Sequence, residues 1–191
     1  GTAWNQLGGD IDGEAASDYS GYSVSLSSDG LTVAIGAKDN DGSYSNAGHV
    51  RIYQLDGTAW NQLGGDIDGE AASDNSGYSV SLSSDGSTVA IGATYNAGGG
   101  PYAGHVRIYR YDGTAWNQLG DDIDGKAAYD YSGISVSLSS DGTTVAIGAN
   151  KNDGISLWSD SGHVRIYQFS LYTERTSGTC AEAITTKAEC E

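Results

Sequence analysis

The phrase GTAWNQLGG at Gly1 returns unchanged at Gly57 and with one substitution at Gly113. A fixed period of this length means that the chain is built from one supersecondary unit used several times, which limits the available architectures to repeat folds. Residues 1–56 and 57–112 align without gaps and differ at 11 positions. A third copy runs over 113–170 and carries its extra length between Ala149 and Gly162. Most differences between the first two copies fall in the same window, 38–46 against 94–102.

Within each copy the pattern is that of strands. YSVSLSS at 22–28 puts Tyr22, Val24 and Leu26 on one face and serines on the other. TVAIGA at 32–37 sets Val33 and Ile35 against Thr32, Ala34 and Gly36, HVRIYQ at 49–54 alternates again, and AWNQLG at 3–8 is a fourth short run. Period-two alternation with β-branched and aromatic residues predicts strands. Asp29-Gly30 and Asp56-Gly57 are hairpin signals between consecutive runs. Nothing before residue 177 has helical periodicity.

The fold expected is therefore all-β, with propeller-type blades of four antiparallel strands in three repeats of about 56 residues, 1–56, 57–112 and 113–170. One blade uses strands at 22–28, 32–37, 49–54 and 59–64. Blades stack face to face, and the serine, alanine and glycine faces leave room for the large residues opposite. A β-solenoid is the alternative, but its coils are shorter and lack paired Asp-Gly hairpins. Three blades fall short of the roughly four to eight of a closed ring, so the repeats are expected to be part of a larger ring or assembly.

The order of strands sharpens that expectation. The chain starts on the fourth strand of a blade, and after GHVRIYQFS at 162–170 the phrase Asp-Gly-Thr-Ala-Trp is replaced by LYTERTSG. Trp4 is predicted to pack as Trp60 and Trp116 do, against a GHVRIY strand, and the strand at 162–167 is the one in this chain without such a partner. With no methionine anywhere, a longer parent chain or a homo-oligomer is expected. Residues 171–191 read as a linker and the start of a Cys-containing helical segment, whose Cys180 and Cys190 would lie about 15 Å apart in a helix. A disulfide spans at most about 7 Å, so partners beyond residue 191 and an oxidising, secreted setting are expected.

SGYSVSLSSDGLTVAIGA followed by AGHVRIYQ resembles the FG-GAP repeat, the blade of the integrin α-subunit propeller, in its short-hairpin bacterial and algal branch. Ser20-Gly21, Ser23-Val24, Gly36-Ala37 and GHVRIY at 48–53 stand in the family's places and recur in all three copies. The resemblance implies an extracellular β-propeller acting in adhesion. Ser stands where the family has the Phe of Phe-Gly, and the first hairpin is cut to SSDG, so the family's calcium loop does not carry over. WD40 repeats are excluded because no blade ends in Trp-Asp, and the sialidase Asp-box because SSDGLTV is one residue short and has no Trp.

The chain carries 25 acidic and 9 basic residues, a net charge of −16. That balance argues against nucleic acid and anionic membranes, and no apolar run reaches the roughly 20 residues of a membrane span. The long loop at 38–48 and the connector GDIDGEAASDYSG are expected on one rim, where a ligand would bind. Asp10, Asp12, Glu14 and Asp18, repeated as Asp66, Asp68, Glu70 and Asp74, offer oxygen ligands that could hold calcium. Against this, the third copy has Lys126 in place of Glu, and Asp-Gly turns with Asp18 accepting backbone N–H bonds explain the acids without a metal. No cofactor is assigned. His49, His105 and His163 read as packed strand residues, and Arg51, Arg107 and Arg165 as partners of nearby carboxylates. Every polar candidate for catalysis is triplicated, so no catalytic site is assigned and no enzyme is expected.

The exposed aromatics of the variable loops, Tyr44, Tyr95, Tyr102 and Trp158, are the ligand-binding candidates, since rim rings stack on sugars or anchor proteins. The function expected is a non-catalytic extracellular protein for adhesion or for binding proteins or glycans at a cell surface. The alternative is a structural subunit of an extracellular filament, sheath or flagellar hair, with copies of itself as partners.

Overall fold

The computed structural model describes residues 1–153 and 160–170; Trp158, Cys180 and Cys190 lie outside them. The described elements are strands β1 (Ser20–Leu26), β2 (Thr32–Ala37), β3 (His49–Leu55), β4 (Trp60–Gln62), β5 (Ile67–Asp68), β6 (Ser76–Leu82), β7 (Thr88–Ala93), β8 (His105–Tyr111), β9 (Trp116–Gln118), β10 (Ile123–Asp124), β11 (Ser135–Leu138), β12 (Thr144–Ala149) and β13 (His163–Gln168). The protein is all-β, built as three antiparallel sheets of the propeller-blade type. Among the described residues no helix is long and apolar enough to cross a membrane.

Each sheet is a meander set by its turns. At the first hairpin Gly30 adopts a φ of +72°, which a glycine takes without steric cost, and its N–H donates to the Ser27 carbonyl at 3.0 Å. Asp29 accepts from the Ser27 hydroxyl at 2.6 Å and the Leu31 N–H at 2.9 Å. These bonds draw Ser27 into the turn, so β1 ends at Leu26, earlier than the alternation alone predicts. Asp56 does the same work at the second hairpin, accepting from the Thr58 and Ala59 N–H groups at 2.9 and 2.8 Å.

The fourth strand is in two pieces. β4 pairs with the end of β3 (Leu55 opposite Trp60) and β5 with its start (Val50 opposite Ile67). Between them Gly64 takes a φ of +68°. The copy of this segment at 3–8 forms no strand, and Trp4 is fully exposed, with a relative accessibility of 104%. Among the described residues no third strand pairs with it. The third sheet is β11-β12-β13, three-stranded among the described residues.

Blades stack large on small. Val80, Leu82, Val89 and Ile91 of the second sheet bury against Ala34, Val50, Ile52 and Ile67 of the first. The next junction repeats this with Val136, Leu138, Val145 and Ile147 against Ala90, Val106, Ile108 and Ile123. Each such side chain, fully buried, contributes about 1.5–3 kcal/mol. On the small side the backbones nearly touch. A methyl group on Gly36 would run into the Gly77 carbonyl, and one on Gly92 into that of Gly133. The same carbonyls accept from the Ser23 and Ser79 hydroxyls, both at 2.7 Å. Gly92→Ala is therefore expected to cost about 2 kcal/mol or more through overpacking. Gly65→Ala, with open space around it and no positive φ, is expected to change denaturant stability by less than about 0.5 kcal/mol.

Candidate functional site

The variable loop and the acidic connector share a rim, as their positions in the meander require. Ser73 N–H donates to the Ser45 carbonyl at 2.8 Å, and Asn75 N–H to that of Asn46 at 3.2 Å. Each rim loop is anchored by an Asn–Asp pair, buried in the first two repeats and half-buried in the third. The Asn40 amide donates to Asp18 at 2.8 Å, Asn96 to Asp74 at 2.9 Å and Asn152 to Asp130 at 3.0 Å. Asp74 and Asp130 also accept the N–H of Ala71 and Ala127.

The acidic connector does not converge as a calcium loop. Asp10 accepts from Gln6 at 2.8 Å, while Asp66 accepts from Gln62 and takes a two-pronged bond from Arg51 at 2.9 Å. Arg51 also pairs with Glu14, and Arg107 with Glu70 and Asp122 in the same way. These bonds hold Asp66 below the usual carboxylate range. At Asp122 burial pushes upward, but the bonds from Arg107 and Gln118 outweigh it.

Two triads, Glu14–His49–Asp66 and Glu70–His105–Asp122, place atoms suited to a metal within 4.8 Å of one another. The sequence hides them because each draws on two successive connectors and on the strand between. A guanidinium already occupies the carboxylates of each. His49 and His105 are buried, and burial lowers their pKa below the ordinary 6.5, so they stand neutral despite carboxylates about 4 Å from Nδ1. The third copy breaks the pattern. Arg165 donates instead to the Tyr167 hydroxyl, the Asp124 carbonyl and the Ser132 hydroxyl.

The feature that distinguishes one junction from the other is aromatic. Tyr95 and Tyr102, from the β7–β8 loop, meet edge to face at 5.5 Å between ring centroids. Tyr131, from the β10–β11 connector of the next blade, lies 5.5 Å from Tyr95 and stacks on Tyr102 at 6.1 Å. Tyr129 lies 5.6 Å from Tyr102. The backbone is knit here by Tyr129 N–H to the Pro101 carbonyl at 2.8 Å and Tyr131 N–H to that of Tyr102 at 3.1 Å. Tyr95, Tyr102 and Tyr129 are exposed, and Tyr95 and Tyr102 line an open depression of about 540 Å³ that reaches Glu70, Asp74, Asn96 and Pro101. Burial, then the neighbouring Tyr95 and Tyr102, raise the pKa of the Tyr131 hydroxyl, keeping it protonated as a donor.

Tyr102, Tyr129 and Tyr131 sit at φ of +54°, +67° and +53°, in the left-handed region disfavoured for bulky residues. The preceding junction has Asn46, Ser73 and Asn75 at the matching places, with the same φ signs. Of the four rim aromatics predicted as ligand contacts, Tyr95 and Tyr102 come together. Tyr44 is exposed on the first repeat's loop, one junction away, and Trp158 lies outside the described residues. Tyr129 and Tyr131 were missed, although Tyr129 replaces the Ser17 and Ser73 of the other copies.

Neither a family model nor a curated protein matches the chain. Among solved structures, the hydrazine synthase of Kuenenia stuttgartiensis is similar at 16% identity and a TM-score of 0.46, over 77% of this chain. The chain spans 44% of that protein's length.

Two outcomes are expected. Stability should be level from the histidine value of 6.5 up to the tyrosine range and fall as pH drops through 6.5, because the unfolded histidines take protons first. A further fall is expected below 3.8, where the unfolded carboxylates protonate before Asp66 and Asp122. A melting temperature that is flat between about pH 7 and pH 5 would contradict this. Calcium or chelator should leave the melting temperature of the protein unchanged, whereas Arg107→Ala should make it respond to zinc through Glu70, His105 and Asp122.

Proposed function

We propose that this chain is a non-catalytic, extracellular binding module of FG-GAP-like type, and that it holds a neutral glycan at the tyrosine cluster of its second junction. The observation carrying this reading is the convergence of rings at three strained backbone positions of the second junction, where the first has Asn46, Ser73 and Asn75; of the three, only the Tyr131 position has a ring in another copy, at Tyr19. A left-handed non-glycine residue costs on the order of 1 kcal/mol, and asparagine bears it best. Packing does not call for these rings, since two of the three are exposed. Their role is recognition.

The chemistry fits a sugar. Four phenol rings supply flat apolar faces for pyranose C–H groups, and their hydroxyls give and accept hydrogen bonds. The net charge of −16 and the carboxylates of Glu70 and Asp74 beside the depression repel uronic and sulfated sugars. A catalytic reading has less support. In both triads an arginine already holds the carboxylates, and the histidines are buried and neutral.

The test is binding to a printed array of neutral and acidic oligosaccharides, followed by calorimetric titration with the best neutral hit. Tyr102→Asn with Tyr131→Asn is expected to weaken binding about tenfold or more, while the melting temperature holds or rises. Absence of any neutral glycan on the array, or unchanged affinity in the double variant, would overturn the reading.

A further inference from the structure

The two outer faces of the stack are the two halves of the interface that the protein already makes twice within itself. On the first blade, Val24 and Leu26 are 63% and 59% exposed, whereas their counterparts Val80 and Leu82 are 8% and 7% exposed against the neighbouring blade. On the third blade, Val164 and Ile166 are 68% and 70% exposed, whereas Val50 and Ile52 are fully buried. The two faces are the counterparts of the two sides of the internal contact, and they match each other as Val80 and Leu82 match Val50 and Ile52.

A polar group marks the same place. In the first two blades the arginine Nε donates to an aspartate of the following connector, Arg51 to Asp66 at 2.9 Å and Arg107 to Asp122 at 2.8 Å. Arg165 Nε is buried with no hydrogen-bond partner. The aspartate in register with Asp66 and Asp122 is Asp10, which already holds the matching bond from Gln6. Trp60 and Trp116 donate Nε1–H to the Leu7 and Leu63 carbonyls at 2.9 and 2.8 Å, while Trp4 of the same series stands in solvent.

We propose that a second copy of this chain docks end to end on the first. Residues 1–12 of the incoming copy become the fourth strand beside β13, as 60–68 do beside β3, with Trp4 opposite Phe169 and Ile11 opposite Val164. Asp10 of the incoming copy takes Arg165 Nε, and its Val24 and Leu26 cover Val164 and Ile166. Two copies joined at both ends give six blades, within the range of about four to eight in closed rings. The occupant is a copy of this chain because register, hydrogen-bond partners and side-chain volumes at both ends already match those of the internal junctions.

Light scattering and sedimentation across concentration test this. A particle of two chains is expected, with Asp10→Arg and Arg165→Asp each weakening association roughly a hundredfold. An equimolar mixture of the two variants should associate like the native protein, since each junction then pairs opposite charges. Asp10 is exposed and outside any strand, so Asp10→Arg tests the interface without risk to folding. Val24→Glu, on the open face of the first blade, should abolish the two-chain particle. A one-chain particle at every concentration, or an assembly indifferent to these changes, would overturn the proposal.

Discussion

The structure depends on how closely two blade backbones approach. Gly36 and Gly92 have no side chain, so the carbonyls of Gly77 and Gly133 can lie against them and still accept the Ser23 and Ser79 hydroxyls. That contact sets the spacing at which Val80, Leu82, Val89 and Ile91 of one blade pack over Ala34, Val50, Ile52 and Ile67 of its neighbour. A blade has two unlike faces, each apolar enough to need a neighbour. No single blade can bury both, and tandem repetition is the physical consequence.

The rim is freed by the same arrangement. The blade-stacking residues are nearly identical in three copies, while the loops above them differ in sequence and length. Those loops stay in place because Asn40, Asn96 and Asn152 tie them to Asp18, Asp74 and Asp130 below. One junction can thus carry four tyrosines where the other carries Asp39, Asn46, Ser73 and Asn75, with no change in the stack. Of the connector acids, Asp18, Asp74 and Asp130 anchor loops, while Glu14, Asp66, Glu70 and Asp122 neutralise arginines.

Period-two alternation and Asp-Gly turns made the β1–β2–β3 meander legible, since both are local properties of a dozen residues. The split outer strand was less so, because the kink at Gly64 matters only once β4 and β5 must both reach β3. For Trp4 the sequence indicated the kind of partner but not which one: it repeats Trp60 and Trp116, yet among the described residues 1–12 form no strand and Trp4 is exposed. In the candidate site, Tyr95 and Tyr102 stood out as loop aromatics. Tyr129 and Tyr131 did not, because the connector bringing them there belongs to the next blade and its path depends on stacking.

The sequence by itself determined the repeated unit, its four-strand meander and the large-on-small pattern of its faces, because turn chemistry and alternation act over neighbouring residues. Only the tertiary structure decided which carboxylates meet which arginines, which tyrosines share a surface, and which apolar side chains meet between blades. Those facts join residues from successive blades, and their meeting is set by the glycine-permitted distance between blades.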